Sequence, residues 1–155
     1  MEPDLILSVL RAFEAFQVRY ALVGGVAMNI QGLPRATADI DIVISAEPDN
    51  VARLRAALDS LFHDPAIAEI TAEDLNGRYP AIQYVPPDGT FHIDILARLG
   101  ERFSFADIET EERLIEGVRC QVATPRMLYR MKKDTVRLRD RADAERLRER
   151  FNLED

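Results

Sequence analysis

Apolar residues recur near the start of the chain with the period of a helix. Leu5, Ile6, Val9, Leu10, Phe13 and Phe16 share a face, which predicts an amphipathic helix over residues 4–17. The pattern then changes: Tyr20–Val23 is a short apolar run that reads as a strand, and Gly24-Gly25 turns the chain. Val26–Gln31 reads as a short helix, broken by Gly32-Leu33-Pro34. Asp39–Ile44 alternates polar and apolar residues before becoming wholly apolar, and is predicted as the second strand. Pro48 suits a first helical position, and Val51, Leu54, Leu58 and Leu61 form the stripe of a helix over residues 48–62. His63 to Asn76 is mixed and reads as loop with a short strand or helical turn.

The second half reads as paired strands followed by helices. Arg78–Val85 and Thr90–Leu96 flank the turn Pro86-Pro87-Asp88-Gly89. Ile108–Glu116 and Val118–Ala123 read as a hairpin with Glu116-Gly117 at its tip. Thr124-Pro125 is a helix start, with threonine capping and proline in the first turn. One helix is predicted from there to about Val136 and another from about Asp140 to Phe151. The expected class is α+β, a small mixed β-sheet with helices packed on it and a helix pair at the C-terminal end.

The chain has 155 residues, a length that suits one domain spanning residues 1–155. The first residues, acidic and interrupted by Arg11 and Glu14, do not read as a secretion signal, and no apolar run reaches membrane-spanning length. The single Cys120 excludes an internal disulfide and lies in an apolar-alternating run, so a buried, inert thiol in the cytoplasm is expected. Net charge is −7, which argues against bulk attraction to nucleic acid. Its distribution is uneven: residues 1–124 carry 10 Lys+Arg against 20 Asp+Glu, whereas residues 125–150 carry 10 against 5. Such a basic segment is either a helix surface laced with ion pairs or a face for phosphates.

The candidate chemistry sits between Tyr20 and Ile44. In a strand, Asp39 and Asp41 point to one face and Ile40 and Ile42 to the other. Two carboxylates so placed can hold a divalent cation between them, or can simply be polar residues on a solvated face. Gly24 and Gly25 leave the backbone bare for a phosphate, and a helix starting at Val26 would aim free amides at it. Arg35 and Thr37 precede the acidic pair and could neutralise or hydrogen-bond phosphate, or serve as loop and cap residues. Asp94 lies in the second apolar strand pair. His92, two residues away on the same face, reads as a packed or partly exposed histidine and is not assigned as a ligand. Arg126, Arg130, Lys133 and Arg137 recur as a basic stripe, with Leu128, Met131 and Leu138 toward the core. Lys132 lies beside that apolar side, where it can reach phosphates or snorkel over the core. Asp140 and Asp143 suit the start of a helix through its dipole.

Gly24-Gly25, thirteen residues, then Asp39-x-Asp41 resembles the signature of the nucleotidyltransferase superfamily that includes DNA polymerase beta. Phe91-His92-Ile93-Asp94-Ile95-Leu96 resembles that family's third carboxylate. Met131-Lys132 followed by Arg137, Arg139-Asp140 and Asp143 is similar to a small bacterial branch holding abortive-infection nucleotidyltransferase toxins and minimal nucleotidyltransferases. The resemblance implies a metal-dependent transfer of a nucleoside monophosphate from a nucleoside triphosphate such as ATP to an acceptor hydroxyl on an RNA or tRNA end, a protein or a small molecule. It implies Mg2+, or Mn2+ in its place, held by Asp39, Asp41 and Asp94. Asp94 would also take the acceptor's proton, and Gly24, Gly25, Arg35, Thr37 and Lys132 would bind nucleotide. The same branch implies an antitoxin partner, while a cytoplasmic, non-membrane setting is expected from the single cysteine and from the lack of a signal or spanning run. The alternative is a catalytically silent nucleotide-binding or protein-interaction module of the same fold. A phosphohydrolase with an Asp-x-Asp pair fits less well, since its pair follows an apolar strand and here the apolar run comes after.

Overall fold

The computed structural model describes residues 3–34, 39–77, 80–89, 91–99, 102–135 and 137–154. The chain opens with helix α1, Pro3–Ala15, which buries Val9, Leu10 and Phe13. Strand β1, Tyr20–Val23, follows, and all four of its residues are buried, so the sheet is covered on both faces there. Helix α2, Gly24–Ile30, leads to β2, Asp39–Ile44. Helix α3, Pro48–Phe62, is started by Pro48 and carries Asn50 fully buried. Asn50 accepts the Arg19 amide at 2.7 Å and donates to the carbonyls of Arg19 at 3.0 Å and Ser45 at 2.7 Å, tying α3 to the ends of β1 and β2.

A 3₁₀ turn at Pro65–Glu69 and helix α4, Ala72–Leu75, bridge to β3, Ala81–Tyr84. Strand β4, His92–Leu96, is followed by a small ribbon of β5, Arg98–Leu99, and β6, Phe103–Ser104. Strands β7, Thr110–Ile115, and β8, Val118–Ala123, form a hairpin whose tip residues Glu116 and Gly117 both have positive φ. Helix α5, Pro125–Lys132, begins on Thr124, whose hydroxyl accepts the Met127 amide at 3.1 Å. Helix α6, Leu138–Phe151, ends the described chain and packs on α5.

Six strands make one mixed sheet in the order β3-β4-β2-β1-β8-β7. Antiparallel pairs join β1 to β2, β3 to β4 and β7 to β8, while β2 with β4 and β1 with β8 are parallel. Helices α1 and α3 pack together, and α2 lies against β1 and β2. The buried isoleucines Ile40, Ile42, Ile93 and Ile95 stitch the two central parallel strands into the core.

The α+β expectation therefore holds, and strand–helix alternation was placed correctly through most of the chain. Residues 63–76 contain two short helical turns and no strand, the second of the two alternatives expected there. Three readings need correction. The β5–β6 ribbon was not anticipated, since two-residue strands leave no periodic signal. Helix α5 stops at Lys132, and Arg137 is the N-cap residue of α6, so the expected basic stripe is split between two elements. Leu138 is 79% exposed instead of core-facing. The inward stripe of α6 is Asp140, Asp143, Ala144 and Leu147, and Leu138 lies off it.

Candidate active site

The two parallel strands β2 and β4 run in register: Asp39 pairs with His92 and Asp41 with Asp94. Because side chains alternate, these four polar groups share one face while the isoleucines between them enter the core. The sequence-predicted carboxylates are thus brought together, along with a histidine that sequence reasoning passed over. His92 Nδ1 is 2.9 Å from Asp39 Oδ1, and its Nε2 is 3.3 Å from Asp94 Oδ2. The missed signal was the register itself: an i, i+2 His-x-Asp on one strand faces an i, i+2 Asp-x-Asp only when the strands are neighbours.

Asp41 sits deepest. Burial, then a hydrogen bond with Asp94, then the negative charges of Asp94 and Asp39 push its carboxyl up to about 7, with His92 opposing. Gly24 stands immediately against it. A Cβ at Gly24 would lie 2.1 Å from Asp41 Oδ2 and 2.9 Å from its Cγ, and Gly24 has φ +68. Glycine is required there twice over, for backbone conformation and for space. Gly25 is buried in the first turn of α2. Arg35 and Thr37 lie outside the described residues.

Gly24, Gly25, Asp39, Asp41 and Asp94 line a cavity of about 1230 Å³ together with Ile82 and Gln83 of β3, Arg102 and Phe103 at the ribbon, and residues of α5 and α6. Lys132 also lines the cavity and is only 9% exposed. Its ammonium donates to Asp143 at 3.2 Å and Asp140 at 3.4 Å. Asp140 also accepts from Arg137 Nε at 2.9 Å and Thr135 Oγ1 at 3.2 Å. Burial alone would raise the Asp140 carboxyl, but the Lys132 and Arg137 charges outweigh it and hold it below the usual range. The helix-dipole account of Asp140 and Asp143 is therefore incomplete: both turn inward as counter-ions to Lys132. Of the basic residues, Arg126 pairs with Glu109 at 2.9 Å, while Arg130 and Arg102 lie over the Phe103 ring at the cavity, at 5.8 and 5.2 Å from its centroid.

A family model described as "Nucleotidyl transferase AbiEii toxin, Type IV TA system" matches residues 6–150. The chain belongs to the AbiEii nucleotidyltransferase toxin family. It is accordingly an enzyme of the nucleotidyltransferase class. No functionally curated protein matches it by sequence. Among solved structures, this AbiEii chain is similar to TM1012 of Thermotoga maritima, described as a candidate nucleotidyltransferase, with 13% identity over 96% of this chain and 91% of that one and a TM-score of 0.55. ANT(2")-Ia in complex with adenylyl-2"-tobramycin aligns at 15% identity over 96% of this chain and 88% of that one, TM-score 0.57. An antigenic nucleotidyltransferase-like protein from Paracoccidioides brasiliensis aligns at 16% identity over 93% and 74%, TM-score 0.55. At these identities the likeness is one of fold.

The donor set fits a divalent cation. Asp39, His92 and Asp94 each offer one ligand atom, all within 4.8 Å of one another. Asp41 adds a fourth group through its bond with Asp94. Three carboxylates crowded into a half-buried site repel one another, and a bound dication relieves that repulsion.

Proposed function

We propose that this chain moves a nucleoside monophosphate from a nucleoside triphosphate to an acceptor hydroxyl inside the cavity, as one domain over residues 1–155. The observation that supports it most is the parallel register that faces Asp41 with Asp94 and Asp39 with His92 beside the bare backbone of Gly24. Asp39, Asp41 and Asp94 would hold a divalent cation, Mg2+ or Mn2+. When bound, the ion neutralises phosphate oxygens and stabilises charge in an in-line displacement. Gly24 and Gly25 leave the wall free of side chains where the triphosphate passes, and Arg35 and Thr37, which precede Asp39 in the sequence, would bind its phosphates. Lys132, which lines the same cavity, supplies positive charge there, oriented by Asp140 and Asp143. Asp94 accepts the proton of the attacking hydroxyl.

The acceptor in this reading is a polyanion, an RNA end such as that of tRNA. Arg102, Arg130, Arg137 and Arg139 all line the cavity, and Arg137 is 79% exposed at its side chain. Toxicity held in check by an antitoxin partner follows from the family, and action in the cytoplasm goes with it; no helix among the described residues is long and apolar enough to cross a membrane. Pyrophosphate release measured with each nucleoside triphosphate, with and without bulk tRNA, tests the reading. Release that depends on one nucleotide and rises with tRNA supports it. No release with any combination, or release unaffected by tRNA, removes the transfer or the RNA acceptor respectively.

A further inference from the structure

We propose that His92 is itself a metal ligand, and that it makes this site select a transition-series dication over Mg2+. The inference rests on the metal-dependent reading above and adds to it a nitrogen donor. The geometry carries it. His92 is the register partner of Asp39, so its ring lies across the gap between Asp39 on β2 and Asp94 on β4, 2.9 Å from one carboxylate and 3.3 Å from the other. Donors around a six-coordinate ion with bonds of about 2.1 Å stand about 3 Å apart when adjacent and about 4 Å apart when opposite, and one ligand atom from each of Asp39, His92 and Asp94 lies within 4.8 Å of the other two.

Ion choice follows from donor chemistry. Mg2+ takes near-ideal octahedral oxygen ligands and dehydrates reluctantly, so an imidazole adds little to its binding. Mn2+ and the ions after it accept imidazole together with carboxylate, and nitrogen donors raise affinity along the series. An all-carboxylate site would show no such bias. The strand alternation also leaves His92 few other roles: it is 29% exposed at its side chain, too open to be core packing, and both nitrogens face carboxylates of the same cluster.

The test uses the full chain. Electron spin echo envelope modulation on the Mn2+-loaded wild-type protein reads nitrogen bonded to the ion, and a directly coordinated imidazole is expected. Calorimetric titration with Mn2+ and with Mg2+ follows on wild type and His92→Ala, with melting temperature as the folding control. Mn2+ affinity is expected to fall at least about tenfold in the variant, while Mg2+ affinity changes by less than about threefold. Mn2+ binding without nitrogen coupling, or equal losses for both ions, would overturn His92 as ligand and leave the carboxylate reading intact. No binding of either ion by wild type would overturn both. Because the spectroscopic arm needs no substitution, a poorly folded variant does not shield the proposal.

Discussion

Replacing Gly24 with alanine isolates one contact of the candidate site. Gly24 has φ +68, and the added Cβ would meet Asp41 Oδ2 at 2.1 Å, Cγ at 2.9 Å and Cβ at 3.0 Å. The backbone term is the usual cost of an L-residue in the left-handed region, about 1–2 kcal/mol. For a chain of this size that lowers the melting temperature by about 2–8 °C. The steric term acts on Asp41, whose oxygen must retreat by more than about 1 Å to reach an ordinary contact of roughly 3.5 Å. Among the described residues no salt bridge holds Asp41 in place, and it is crowded by burial and by its neighbours Asp94 and Asp39. The retreat should instead appear in chemistry, where a misplacement of about 1 Å costs about 10²-fold in rate. Gly89 is the matched control: it also has φ +68, but a Cβ there meets nothing within 4 Å. Pyrophosphate release and melting temperature on both variants form the assay. Similar stability loss in both with a rate loss only in Gly24→Ala is expected. Equal rates in the two variants would refute the reasoning, since only the contact with Asp41 distinguishes them.

Asp41→Asn should abolish pyrophosphate release while keeping or raising the melting temperature, because it removes one of three mutually repelling carboxylates; a large loss of stability would assign Asp41 a structural role instead. Lys132→Ala leaves two buried carboxylates without their shared cation and should cost about 3–5 kcal/mol in urea unfolding, most of it recovered when Asp140→Asn and Asp143→Asn are added; unchanged stability would remove the buried triad. The Asp140 carboxyl is held low in the folded state, so it contributes stability that is present above the ordinary carboxylate range and lost as pH falls through its lowered value. Acid unfolding followed by circular dichroism should therefore show a shallower acid limb in Asp140→Asn, and an unaltered limb would exclude this linkage. Nucleoside triphosphate binding by calorimetry should require a divalent ion, and equal binding in chelator would remove the metal-bridged site.

What the sequence disclosed follows from how local each signal is. Strand β2 and its carboxylate face were legible because alternation is written into consecutive residues, as was the Thr124-Pro125 helix start. Asp94 could be placed on a strand, but its neighbour could not: that β4 lies parallel to β2, bridging a separation of more than fifty residues, is a tertiary fact. His92 was missed for that reason. The same limit explains Lys132, where sequence placed a lysine near the core but not the two aspartates of the next helix that receive it. Leu138 shows the reverse failure. Its hydrophobicity suggested burial, yet the phase of α6 is set by Ala144 and Leu147.

The parallel pairing of Leu22 in β1 with Val122 in β8 carries a consequence for biosynthesis. Strand β1 is central in the finished sheet, but one of its edges has no partner until residues a hundred positions later have been made. At a synthesis rate of about 5–20 residues per second, that edge waits roughly 5–20 s. During that interval it presents an uncovered row of backbone donors and acceptors, a template for pairing with other chains. Contacts so distant in sequence also slow spontaneous refolding. The last wall of the cavity, from α5 and α6, arrives later still, so a nascent chain can hold its carboxylates together well before it can enclose a nucleotide.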